Sequence, residues 1–141
     1  MPRTTLKAVG TVVMKLNGRE IYRGKNTVVS GGLNLFASLV SGSGTAPGYM
    51  AIGDDNTDPA AAQTDLQGTE HERVAATPTA DGAGVTWVST FGSGVVGTVS
   101  VAEVGLFNAS SGGTMVCRFI CTAFTMTNAD SLDINWSVTF I

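Results

Sequence analysis

Charged side chains are scarce in this sequence. They make up 13% of its 141 residues, about half of the roughly 25% that is usual for soluble domains. Such a low content of charged residues favours a protein that buries part of its surface in an assembly. The length predicts a single domain over residues 1–141, with a core large enough to fold without disulfides or metals.

Cysteine and histidine are also rare. The two cysteines, Cys117 and Cys121, lie four positions apart, and on a strand that spacing is roughly 13 Å, too long for a disulfide. The lone histidine, His71, gives a zinc ion too few ligands. We therefore expect two free, partly buried thiols made in a reducing compartment, and no metal or other cofactor.

Long apolar runs and catalytic motifs are missing as well. No window approaches the roughly 18 apolar residues of a membrane span, and Lys15 follows the only N-terminal apolar stretch, so a secretory signal is not convincing. The nucleophile motif GxSxG and the phosphate-binding glycine motifs do not occur. His71 sits in the charged run EHER, which is more typical of a solvated residue than of a catalytic one. The sequence predicts a protein that is not an enzyme, is soluble at synthesis in the cytoplasm and does not bind membranes.

Thr, Val and Gly are abundant and predict β structure with frequent turns. Asn17-Gly18 between two apolar segments is a strong hairpin signal. The segment LDINWSVTF (132–140) alternates apolar and polar residues, as a strand with one buried face does. Several such strands at short spacing favour an all-β, mainly antiparallel, jelly-roll-like β-sandwich.

One short helix is expected near residues 31–41, ending at Gly42. The spacing of its apolar residues predicts that its buried face consists of Leu33, Phe36, Ala37 and Val40. At about ten residues, such a helix needs tertiary packing to be stable.

Basic residues are concentrated at the N-terminus. Six of the eight bases stand against one acid, Glu20, in residues 1–25, which gives this segment a net charge of +5 and the remainder −8. We interpret residues 1–25 as a basic hairpin or arm that contacts an acidic protein partner. Nucleic acid is a poorer partner because the bases are spread out and Tyr22 is the only aromatic residue among them. The predicted contact residues are Arg3, Lys7, Lys15, Arg19, Arg23 and Lys25.

An acidic segment, GDDNTDPAAAQTDLQG, resembles the start of a calcium-binding loop. Asp54, Asn56, Asp58 and Asp65 fall at ligand positions of such a loop. Pro59, however, replaces the glycine that the sharp turn needs, and an aspartate replaces the bidentate glutamate at the last position. Carboxylates that accept hydrogen bonds from a turn are the better interpretation.

Glu103 and Arg118 are single charges within two apolar segments that flank a glycine-containing turn. If the loop is Ala109–Gly112 or Ser110-Ser111, the two side chains face each other across a hairpin; if it is Ser111-Gly112, they are diagonal neighbours. Either arrangement predicts a structural ion pair that fixes the strand register. The alternatives are an interface contact and a catalytic pair, although no second acid or nucleophile is marked for catalysis.

Four segments carry a resemblance to small virion proteins of tailed bacteriophages. They are KNTVVSGGLNLFASLV (25–40), MAIGDDNTDPAAAQTDL (50–66), VAEVGLFNASSGGTM (101–115) and LDINWSVTF (132–140). The family pattern has a G-x-G-x-T-x-P-A loop and an E-x-G-L-F strand followed by a glycine turn. This chain departs from it at Asp55, where the family has its second glycine.

The resemblance implies a structural role in a phage particle. Such proteins often decorate or cement the capsid from outside, and others form tail-fibre or receptor-binding modules. We expect a capsid decoration protein on the virion exterior that binds the major capsid protein and forms a homo-oligomer, a dimer or trimer. A tail-fibre module is the alternative, and a small hydrolase on a sandwich fold is a third hypothesis.

Overall fold

The structure, a computed structural model, describes residues 7–141, so Arg3 and its neighbours in residues 1–6 lie outside the described residues. The described residues contain nine strands and one helix. In chain order these are β1 Ala8–Leu16, β2 Arg19–Val28, α1 Ser30–Val40, β3 Tyr49–Gly53, β4 Glu70–Ala75, β5 Thr77–Asp81, β6 Gly84–Phe91, β7 Val99–Phe107, β8 Met115–Met126 and β9 Leu132–Phe140.

The strands form one antiparallel sheet in the order β4-β3-β7-β8-β2-β1-β9-β6-β5. β2 joins its two halves, because it pairs with β1 along most of its length and with β8 at Thr27 and Val28. The sheet is nearly closed, since Glu72 of β4 accepts hydrogen bonds at 2.8 Å from the backbone nitrogens of Gly92 and Gly94, just after β6. The predicted all-β, mainly antiparallel fold with one short helix is confirmed.

The N-terminal hairpin lies in the middle of the sheet. Asn17 and Gly18 have φ angles of 53° and 82° and form its two-residue turn, as the twist of a hairpin favours. β1 pairs with β2 on one side and with β9 on the other. Residues 8–25 are therefore a hairpin, as predicted, but not a free arm, because backbone pairing on both sides of β1 holds them in the sheet.

The helix occurs where predicted and is followed by Gly42, whose φ is 90°. Its predicted apolar face is wrong in part, since Leu33 is 52% exposed and Val40 is 91% exposed, whereas Leu35 is buried. Gly32 explains why the helix is rotated about its axis relative to the predicted face. A Cβ at this position would lie 2.3 Å from the carbonyl oxygen of Val116, so the helix contacts β8 through the side that carries Gly32.

The main core contains buried side chains from strands of both halves of the sheet. The alternation predicted for β9 is confirmed, because Leu132, Ile134, Trp136 and Val138 are completely buried. β7 is buried on both faces: Val104 and Leu106 belong to the main core, whereas Phe107 packs in a second, smaller cluster with Leu66. Leu66 belongs to residues 54–69, the acidic loop between β3 and β4, so this loop covers the outer face of β7.

Candidate functional site

Glu103 and Arg118 form an ion pair beneath the acidic loop. Nε of Arg118 donates to Oε1 of Glu103 at 3.0 Å, and both side chains are completely buried. Arg118 pairs in register with Gly105, and Glu103 with Ile120. The directly facing arrangement is therefore wrong, and the diagonal arrangement is the one that the structure has.

The connection between β7 and β8 explains this register. It spans residues 108–114 and is wider than any of the tight turns considered for it. Asn108 closes it by accepting a hydrogen bond at 2.7 Å from the backbone nitrogen of Thr114. Gly112 and Gly113 take positive φ angles of 60° and 75°, which glycine adopts without strain.

Glu103 accepts hydrogen bonds from both ends of the acidic loop. Its Oε1 accepts from the backbone nitrogen of Gln67 at 2.8 Å, in addition to Arg118. Its Oε2 accepts from the backbone nitrogens of Asp55 at 3.0 Å and Gly68 at 2.8 Å. Four donors satisfy one buried carboxylate, as a charge without access to water requires.

Arg118 binds the same loop from its start at Asp55 to its middle at Gln63. Its terminal nitrogens donate to the carbonyl oxygens of Thr57 at 2.6 Å and Asp55 at 3.0 Å, and to Oε1 of Gln63 at 3.2 Å. The pair thus joins two strands to a long surface loop. Its hydrogen-bonding capacity is used within the protein, which makes it an anchor of the loop.

The carboxylates of the acidic loop accept hydrogen bonds from nearby backbone. Asp54, Asp55 and Asp65 accept from the nitrogens of Thr69, Thr57 and Leu66 at 2.7 to 2.8 Å. Asp58 contributes its carbonyl oxygen to Gln63 at 3.0 Å. Among residues 7–141, no group of three or more His, Cys, Asp or Glu side chains is arranged to hold a metal. Of the aspartates that suggested calcium, Asp54 and Asp65 therefore use their carboxylates to hold the backbone of the loop.

His71 lies on β4 beside this loop. Its Nε2 is 3.2 Å from Oδ2 of Asp54, and its side chain is 18% exposed. The histidine is therefore not simply solvated, as the sequence suggested, but packs against the carboxylate that also accepts from Thr69. Asp54 thus joins the start of the acidic loop to its end at Thr69.

Two residues that the sequence did not mark fasten other loops. Arg73 donates to the carbonyl oxygens of Ala109 and Gly112, both at 2.9 Å, and its guanidinium lies 3.9 Å from the centre of the Phe107 ring. Glu72 holds the segment after β6, as described above. The signal in the sequence was the run EHER at the start of a strand, in which Glu72 and Arg73 bind backbone atoms of other loops and Glu70 pairs with Arg73 at 2.7 Å.

The predicted basic contact residues of the described chain are exposed, whereas Arg3 lies outside it. They are Lys7, Lys15, Arg19, Arg23 and Lys25. Arg23 pairs with Glu20 at 2.7 Å, and these two residues, Lys15 and Asp133 line a shallow polar groove of about 630 Å³ on the outer face of β1, β2 and β9. This face therefore carries both signs of charge.

An apolar groove of about 580 Å³ opens between α1 and the β5–β6 hairpin. Its walls include Phe36, Val40, Pro78, Trp87 and Phe140. The Trp87 Nε1 already donates to the carbonyl oxygen of Pro47 at 2.9 Å, so the groove offers contacts that are almost entirely apolar. Exposed apolar surface of this kind is typical of proteins that contact a partner.

Both cysteines are free and buried, as predicted for the absence of a disulfide, although they are more buried than expected. Burial raises the pKa of each thiol to about 12.

We expect neither thiol to react with an alkylating reagent at neutral pH in the folded protein, and both to react after unfolding, because the thiolate is the reactive form. Mass spectrometry after alkylation checks this. A quantitative disulfide on a non-reducing gel would contradict it.

Acid should weaken two of the turns. Hydrogen bonds from Thr57 hold the pKa of Asp55 below its ordinary value, and hydrogen bonds from Asn17 and Thr127 do so for Asp130. A carboxyl whose pKa is lowered by folding stabilises the fold above its unfolded pKa, and this contribution is lost as the pH falls through the folded pKa. We expect the melting temperature to fall as the pH drops below about 4.

Thermal unfolding over a pH series measures this effect. The variant Asp55→Asn/Asp130→Asn should flatten the decline, because an amide does not titrate, whereas Ser110→Ala is an exposed control without a titratable group. An unchanged slope in the double variant would show that other carboxylates cause the acid sensitivity.

Comparison with known proteins gives no family. A scan against protein-family models finds no match, and a search of curated proteins finds no significantly similar relative. Within residues 7–141, no helix combines the length and apolar character of a membrane span.

Proposed function

We propose that this protein is a structural component of a tailed-bacteriophage particle that binds the outside of the capsid as a decoration, or cement, protein. The observation that carries the proposal is that Glu103 and Arg118 together hold the acidic loop. A fully buried ion pair, which is costly to desolvate, is committed to holding an exposed loop in one conformation. A fixed surface loop suits a protein that makes the same contact many times.

Two of the segments that resemble phage virion proteins, residues 50–66 and 101–115, support the same proposal, because they are in contact: Asp55 donates to Glu103, and Leu66 packs with Phe107. The acidic loop lies over β7, and β8 supplies Arg118 to it. We further propose that the two halves of the sheet pack as a jelly-roll-like β-sandwich. One apolar core that includes side chains from β1, β6 and β9 as well as β3, β7 and β8 supports this description.

Two surfaces suit protein contacts. The exposed bases on β1 and β2 offer a charged face for the major capsid protein. The groove beside α1 offers apolar surface that would be removed from water on binding. Each contact can be weak, because repetition over a symmetric shell and a homo-oligomer, a dimer or trimer, multiplies the binding. The function requires no cofactor, nucleic acid or membrane.

Counting the protein in purified virions by quantitative mass spectrometry tests the proposal. A site repeated on the capsomers requires on the order of hundreds of copies per particle. A few copies, or a few dozen, would exclude the capsid role and favour a tail-fibre or receptor-binding module. Binding of the isolated protein to host cells then tests that second role directly.

A further inference from the structure

The side chain of Asn17 joins the β1–β2 turn to the β8–β9 turn. Its Nδ2 donates to Oδ1 of Asp130 at 3.0 Å, and its Oδ1 accepts from the backbone nitrogen of Ser131 at 2.9 Å. The backbone nitrogen of Asn17 donates to the carbonyl oxygen of Ser131 at 2.7 Å. We call these three hydrogen bonds the turn clasp. They connect the first hairpin to the last strand.

The residue after Asn17 is Gly18, and an asparagine before glycine is chemically labile. The backbone nitrogen of the glycine attacks the asparagine Cγ, the C–N bond of the side-chain amide breaks, and ammonia leaves. Water then opens the resulting succinimide to aspartate or isoaspartate. The reaction needs no oxidant, reductant or cofactor, and it is fastest where no side chain hinders the attacking nitrogen.

We propose that Asn17 is a site of spontaneous deamidation that reacts in the unfolded chain and is protected from reaction in the folded protein. For the attack, Cγ of Asn17 must turn toward the nitrogen of Gly18. In the fold, that rotation breaks both side-chain bonds of the turn clasp. The paired turn, with positive φ at both residues, further restricts the motion.

Deamidation also prevents the turn clasp from forming again. The aspartate product places a carboxylate where Nδ2 of Asn17 donated, directly against the carboxylate of Asp130, and the isoaspartate product, whose main chain runs through Cγ, has no side-chain amide left to donate. Asp130 cannot turn away without cost, because its other oxygen accepts from the backbone nitrogen of Thr127 at 2.9 Å. Two like charges at this distance repel each other. A chain that stays unfolded for long thus acquires a covalent modification at position 17 that hinders correct folding.

Peptide mass spectrometry of protein kept in mildly alkaline buffer, with and without urea, measures the reaction. In urea, Asn17 should deamidate faster than Asn108 and Asn128, which both precede alanine and are internal controls. In the native protein, deamidation of Asn17 should be slower by roughly tenfold or more, since two hydrogen bonds must break first. Equal rates in the two states would overturn the proposed protection. If Asn17 deamidated no faster than Asn108 and Asn128 in urea, its assignment as the deamidation site would be wrong.

A pair of variants tests the consequence. Asn17→Asp should lower the melting temperature by several degrees, whereas Asn17→Asp/Asp130→Asn should recover most of the loss, because the amide introduced at position 130 can donate to the carboxylate at position 17. Recovery remains measurable by comparison with Asp130→Asn even if the single variant at position 17 fails to fold. A double variant no more stable than Asn17→Asp would contradict the turn clasp.

Discussion

Replacing Arg118 with methionine is expected to lower the free energy of unfolding by about 3–5 kcal/mol. The substitution leaves Glu103 buried and charged without its partner, and it removes the donors that hold Thr57, Asp55 and Gln63. Methionine fills much of the vacated volume, so the lost charge rather than a cavity causes the change. Urea denaturation followed by tryptophan fluorescence measures it.

Two further variants make this result specific. Arg19→Met removes an exposed base and should change stability by no more than about 0.5 kcal/mol. Glu103→Gln/Arg118→Met removes both buried charges and should recover part of the loss. It should not recover all of it, because the carboxylate also accepts from three backbone nitrogens of the loop. A change within about 0.5 kcal/mol for Arg118→Met would contradict the anchor role.

Replacing Gly68 with alanine is expected to cost about 1–3 kcal/mol. A Cβ at this position would lie 2.2 Å from Oδ1 of Asp54 and 2.8 Å from the backbone nitrogen of Asp55. The second contact is with backbone, so the two ends of the acidic loop must move apart. That movement lengthens the hydrogen bonds from Asp55 and Gly68 to Glu103. Hydrogen exchange of these two amides should accelerate together with the loss of stability.

Gly48→Ala is the matched control for this prediction. Its added Cβ would meet nothing closer than the carbonyl oxygen of Ala76 at 4.0 Å, so the space is open. We expect it to be neutral or slightly stabilising, because alanine reduces the freedom of the unfolded chain. Equal destabilisation by both substitutions would show that loss of glycine, not crowding beneath the loop, causes the effect.

Much of the fold follows from local sequence patterns. Asn17-Gly18 predicts the first hairpin, and the alternation from Leu132 to Val138 predicts the buried face of β9. Both signals depend on residues close in sequence, where periodicity and turn chemistry determine the conformation. The face of α1 was harder to predict, because Gly32 directs the close contact with β8 and has no apolar side chain to signal it.

The candidate site could be predicted only in part. Two isolated charges in apolar strands predict that Glu103 and Arg118 meet, because neither is tolerated alone in a buried position. Most of their remaining partners are backbone atoms of Asp55, Thr57, Gln67 and Gly68, and the side chains of Gln63 and Asp55 also contact Arg118. A backbone nitrogen or carbonyl is present at almost every residue and leaves no pattern in the sequence. The role of the pair as a loop anchor therefore required the structure.

The location of the protein on the virion tests the proposed function most directly. Gold-labelled antibody against the purified protein, applied to intact particles and viewed by electron microscopy, reports that location. Label spread over the capsid shell, and absent from particles made without the protein, is the result that we predict. Label confined to the tail or its fibres would contradict the capsid decoration role.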